Sequence, residues 1–242
     1  MLIPLFDPIW SRLYGPYGVE DVAGPLEELS RRWDEDLARD LFWEKLHHQE
    51  DLYPVTFAAL PWIWERSPDR LSDPAGETFP FSSYVLACAT RTDGTGCDGT
   101  GPRGRFRGLS TRVEDHQWPW ISPEQRLRAG DMKVLGRLEA WFARTAPVIA
   151  EASLAAISGQ DRFLDAVFLN AVTTWRGAET FAEACSMWGG EHDMETILDE
   201  APRPSEADRA ILLDVGGLIE ARAPDVALFV REWAAAAGEE RT

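Results

Sequence analysis

Residues 37–66, LARDLFWEKLHHQEDLYPVTFAALPWIWER, decide the fold class. At about 100° per residue, Leu37, Ala38, Leu41, Phe42 and Leu46 cover one broad arc of a helix. Asp36, Asp40, Trp43, Glu44 and His47 fall on the opposite arc, whereas His48 points to the apolar side between Leu37 and Leu41. An apolar arc this wide needs neighbours on two sides, as in a stack of helices. Residues 52–66 are apolar all round and predict a largely buried helix. Pro54 fits its first turn, where the missing N–H costs nothing, and Pro61 lies inside it and should kink it.

Outward from this stretch the helical pattern continues. Residues 1–24 read as an irregular arm punctuated by Pro and Gly, whose Leu2, Ile3, Leu5, Phe6, Ile9 and Trp10 should pack on something. A third helix is expected over 79–90. Residues 91–122 form a long Gly- and Arg-rich loop. Helices resume at Ser122, where S-P-E-Q offers an N-cap, a proline at the first helical position and a capping-box glutamine. A shorter helix should follow Pro147 and end near Gly159. The next, 161–175, places Leu164, Val167, Phe168, Ala171, Val172 and Trp175 on one face and ends at Gly177. Residues 178–188 are helical up to Gly189-Gly190, and 192–200 read as a short turn. Ser205 caps a helix bearing Ile211, Leu212, Val215, Leu218 and Ile219, and Pro224 opens the last. No segment alternates with period two, so the chain reads as all-α. The expected architecture is one domain over 1–242: arm 1–24, N-terminal helical repeats 25–90, loop 91–122 and C-terminal helices 123–238. Antiparallel helix pairs stacked as a HEAT/armadillo-like α-solenoid account for it, with an irregular helical bundle as the alternative.

Composition limits function. The 242 residues are 45% hydrophobic, too apolar for intrinsic disorder. No run reaches the about 18 apolar residues of a membrane span, and the N-terminus lacks a basic leader pattern. Three cysteines, Cys88, Cys97 and Cys185, make no disulfide framework or zinc knuckle. We therefore expect a cytoplasmic chain. Its net charge of −17 repels phosphate backbones, which argues against nucleic acid and favours capture of a basic partner. Residues 18–51 carry eleven acids against four bases, and 178–208 nine against one. The 91–112 stretch reverses this with Arg91, Arg103, Arg105, Arg107 and Arg112.

Residues 41–63, LFWEKLHHQEDLYPVTFAALPWI, resemble the signature of bacterial HEAT-like helical-repeat proteins, an L-W-x-x-L-x-H-Q-G run followed by Tyr and A-x-P. The matching residues are Trp43, Leu46, His48, Gln49, Tyr53, Ala59 and Pro61, and residues 163–184 are similar to a further repeat. Glu50 stands where the pattern has glycine, and a cysteine-rich tail carried by some relatives is missing. The resemblance implies an α-solenoid and no reaction. Some such proteins are of the immunity or antitoxin type, which implies a role in blocking a toxin.

Chemical motifs are sparse. Glu44-x-x-His47 has the spacing of one half of a di-iron carboxylate site, but no second copy exists. Glu44, His47 and His192 (within Glu191-His192-Asp193) are the weak candidates for a metal, and with them a metal-dependent hydrolase is one alternative function. Gly94-x-Gly96-x-x-Gly99 matches a dinucleotide fingerprint without the strand before it and the helix after it. Cys97 is the thiol whose pKa neighbouring arginines would lower, and no catalytic partner accompanies it. We assign no catalytic residue and no cofactor. His48, Gln49 and Tyr53 read as a buried polar corner that satisfies helix ends. Asp36, Asp40 and Glu44, at i, i+4 and i+8 beside Trp43, read as an acidic ridge with an aromatic anchor for a basic protein. The expected function is a non-enzymatic protein-binding module, with a helical scaffold as a further alternative.

Overall fold

The computed structural model describes residues 2–48, 51–91 and 122–236. The Gly94–Gly99 motif, Cys97 and Gln49 lie outside the described residues, as does all of the 91–122 stretch except Arg91 and Ser122. The described chain is all-α: ten α-helices, with sheet only as a hairpin of two residues per strand. Expected as one domain, the chain clusters into two compact units, Met1–Pro147 and Val148–Thr242.

In the first unit, a 3-10 turn at Pro8–Arg12 is capped by the Asp7 carboxylate, which accepts from the Ile9 amide at 2.9 Å. Ile3, Ile9, Trp10, Leu13 and Tyr14 are buried, so the arm is part of the core. Phe6 departs from that expectation at 90% exposed, because it stands in the tight turn closed by the Asp7 amide on the Pro4 carbonyl. Gly15 is fixed by space, since a Cβ there would sit 2.9 Å from the Lys45 carbonyl oxygen. Helices α1 (Ala23–Arg31) and α2 (Glu35–Asp40) follow, the latter capped by Asp34.

The second helix does not run on through His48. After Asp40 the backbone widens into a π turn, Leu41–Lys45, and then pairs as strands β1 (His47–His48) and β2 (Asp51–Leu52), antiparallel with His47 opposite Leu52. The core explains the widening. In an α-helix a residue five places on is rotated by about 140°, which would leave Leu46 at the far edge of the apolar arc that holds Leu41. The i→i+5 bond from the Leu46 amide to the Leu41 carbonyl brings it back, and Leu41, Phe42 and Leu46 are all fully buried.

Helix α3 (Pro54–Arg66) starts with proline at its first position and is buried from Pro54 to Pro61. The Thr56 hydroxyl accepts from the Tyr53 amide at 3.0 Å and bonds the Leu46 carbonyl, tying the helix start to the end of the π turn. Helix α4 (Thr78–Thr90) is equally apolar. Ser122–Gln125 makes its capping contact around a 3-10 turn only, and helix α5 begins later and spans Ala129–Ala156. Pro147 does not break it. Phe142, Ala146, Ile149 and Ala150 hold one buried face across the proline, and that burial outweighs the roughly 3 kcal/mol of an interior proline.

The second unit contains α6 (Arg162–Arg176), α7 (Phe181–Gly189), α8 (Met194–Glu200), α9 (Glu206–Ile219) and α10 (Pro224–Ala235). Asp161, Asp193 and Ser205 cap three of them through side-chain oxygens. Gly177, at φ +103°, ends α6 as a left-handed cap. Residues 194–200, read as a turn, are helical. α6 packs on α7, and α9 on α10.

Two faces are rotated from their expected positions. On α6, Leu164, Val167 and Trp175 are only half-buried, whereas Asp165, Thr173 and Thr174 are buried. These polar groups are satisfied locally: Asp165 accepts from the Ser158 and Gly159 amides at 2.7 and 2.8 Å, and Thr173 donates to the Leu169 carbonyl. Burial nevertheless pushes the Asp165 pKa up. On α9, Leu218 is exposed, because the face centred on Gly216 lies against Val230 and Ala227 of α10.

Candidate functional site

Asp36, Asp40 and Glu44 are exposed, as an acidic ridge requires. Its chemistry is more local than the sequence implied. The Arg39 guanidinium donates to Asp36 at 3.0 Å and to Glu77 at 2.6 Å, and Glu77 accepts from the Trp43 indole N–H at 2.9 Å. The Glu77 hydrogen bond raises the Arg39 pKa further. Trp43 is therefore no free anchor. Half-buried, it meets His47, Phe81 and Tyr84 edge-on with ring centroids 5.3, 5.5 and 5.6 Å away. Its ring is the fixed floor beneath the ridge. The aromatic content of α4, F-P-F-S-S-Y over 79–84, was the available signal for this cluster.

The polar corner differs as well. His48 is exposed, its ring 5.7 Å from Tyr17, while His47 is half-buried against Tyr84 and Phe81. The two histidines still point to opposite sides, but the alternation is that of a strand, and its sense is the reverse of the helical reading. Tyr53 is buried, with its ring edge-on to Tyr14 at 6.3 Å.

Of the metal candidates, Glu44 is an exposed member of the π turn, His47 lies in β1, and His192 is exposed in the second unit. Among the described residues no three His, Cys, Asp or Glu side chains gather into a group that could hold an ion. Cys88 and Cys185 are buried thiols, and burial raises the Cys185 pKa well above its ordinary value. No described helix is long and apolar enough to cross a membrane.

Sequence reasoning missed a cleft of about 210 Å³ in the second unit, lined in part by Arg162, Trp188, His192, Leu228 and Phe229. The Trp188 ring stacks on Phe229 at 4.7 Å and 7°, and Phe229 stacks on Phe181 at 5.3 Å. The Arg162 guanidinium lies 5.0 Å from the Trp188 centroid and donates to the His192 carbonyl at 2.6 Å. At its rim α7 ends at Gly189, as Gly189-Gly190 implied, with Gly190 as its C-cap. Glu191, at φ +66°, takes the left-handed position, with its amide on the Trp188 carbonyl and that of His192 on the Met187 carbonyl. A side chain in that conformation is strained, so Glu191→Gly is expected to stabilise the protein by about 1 kcal/mol, read as a higher urea midpoint with unchanged slope. No family model matches the chain, and neither the curated proteins nor the solved structures contain a match to it.

Proposed function

We propose that the protein is a non-enzymatic module that binds a basic protein through the exposed acidic face of α2 and its π turn. One observation carries this reading. The Asp40 and Glu44 side chains stand exposed without a hydrogen bond or ion pair among the described residues, since Arg39 is shared by Asp36 and Glu77 and Lys45 pairs with neither. Two like charges four residues apart on one face repel, and a basic partner relieves that repulsion. The Glu77–Trp43 bond and the aromatic rings beneath it hold the surface in place before binding, which lowers the ordering cost of association. The net charge of −17 supports fast electrostatic capture.

The resemblance of residues 41–63 to HEAT-like repeats supports a solenoid of stacked helix pairs as the scaffold. It also supports an immunity- or antitoxin-type role, acting in the cytoplasm by steric and electrostatic occlusion of a basic cleft. The test is capture from native lysate at low and high salt, with wild type and D36A/D40A/E44A. A protein retained by wild type should elute as salt rises and bind the triple variant on the order of tenfold more weakly. Retention that ignores both salt and the three substitutions overturns the reading.

A further inference from the structure

We infer that the cleft of the second unit seats a lysine or arginine side chain of the basic partner, an inference that rests on the protein-binding reading but uses a different surface. One wall is α10, where Asp225, Leu228, Phe229 and Glu232 recur at i, i+3, i+4 and i+7 and so share a face. Leu228 is 54% exposed between the two carboxylates. Asp225 and Glu232 are themselves exposed and make no hydrogen bond or ion pair among the described residues. Beside that face lies the Trp188 ring, stacked on Phe229 and itself covered by the Arg162 guanidinium.

Charge decides the occupant. The lining holds three carboxylates, Asp193, Asp225 and Glu232, against the one guanidinium of Arg162, so acids outnumber arginine by two. The Arg162 guanidinium rests on the indole face and donates to the His192 carbonyl, with its buried Nε unpartnered, whereas the Asp225 and Glu232 carboxylates are both exposed and engaged by nothing described. An anion such as a phosphate is disfavoured there. A lysine or arginine fits the site, laying its aliphatic stem on the exposed Leu228 and its charged head between the carboxylates. The volume, about 210 Å³, is below the roughly 300–1,000 Å³ of drug-sized ligand sites and suits a single side chain.

The probe is N-acetylargininamide, titrated into full-length protein labelled with 5-fluorotryptophan, with the Trp188 resonance assigned through W188F. A saturable shift of that resonance is expected, with N-acetylleucinamide weaker and N-acetylglutamate amide inactive. D225N/E232Q, two exposed substitutions, should weaken the arginine probe about tenfold. D36A/D40A/E44A should leave it unchanged, so failure of the cleft and failure of the α2 ridge are read separately. No saturable shift, an unchanged response in D225N/E232Q, or tighter binding of free zwitterionic leucine than of the capped arginine would each overturn the assignment.

Discussion

Asp131→Ala is expected to lower stability by about 3–5 kcal/mol, because it leaves a buried guanidinium without its counter-charge. Arg12 donates to both carboxylate oxygens of Asp131 at 2.8 Å, and the two side chains are 8% and 10% exposed. The pair joins the N-terminal arm to the start of α5, where Asp131 also accepts from the Arg128 amide at 2.8 Å. Arg12→Met should cost a similar amount by stranding the carboxylate. The double variant Arg12→Met/Asp131→Leu should recover most of the loss, since neither charge is then buried alone. The pair also sets an acid limit. The Arg12 hydrogen bond is the main cause of the lowered Asp131 pKa. Its stabilisation is therefore complete above the ordinary carboxylate value of about 4 and is lost as pH falls through the lower folded value. Asp165, whose pKa is raised by burial, has the opposite sign: its contribution to stability grows as pH falls through the raised value. Urea titrations followed by circular dichroism at pH 7 and pH 3 measure both. A loss below about 1 kcal/mol in Asp131→Ala, the level of an exposed ion pair, would contradict the buried-pair account.

Phe181→Ala is expected to cost about 3–5 kcal/mol. The ring is fully buried in the second unit, stacked on Phe229 and 6.2 Å from Trp233, itself fully buried. Phe181→Leu keeps much of the volume and should cost roughly 1–1.5 kcal/mol. Because Phe229 carries Trp188 on its other side, Phe181→Ala should also reduce the near-ultraviolet dichroism of the cleft. An unchanged urea midpoint would mean that the aromatic column is not the core of this unit.

Local signals in the sequence were enough for much of the fold. Proline at the first position of α3, the Ser205 cap and Gly177 at the end of α6 act within a few residues, and all of them stand where the sequence reading places them. What failed was decided across the chain. Helical periodicity already places Leu41 and Leu46 on one arc, but the π turn at Leu41–Lys45 that narrows the angle between these two buried residues leaves no periodic signal. Pro147 is tolerated because buried residues lie on both sides of it.

The candidate surface divides in the same way. Exposure of Asp36, Asp40 and Glu44 was legible from charge and period. The engagement of Trp43 was not, because Glu77 lies thirty-four residues away. The Arg12–Asp131 pair joins residues 119 apart, and the cleft combines α6, the α7–α8 turn and α10. Neither leaves a contiguous motif.

The most direct measurement of the central claim is the association rate of the captured partner with purified protein as a function of ionic strength. An acidic face that steers a basic partner predicts a rate that falls by about tenfold or more as salt rises from low to physiological levels, with a shallower slope for D36A/D40A/E44A. A rate independent of salt, equal in wild type and the triple variant, would contradict it.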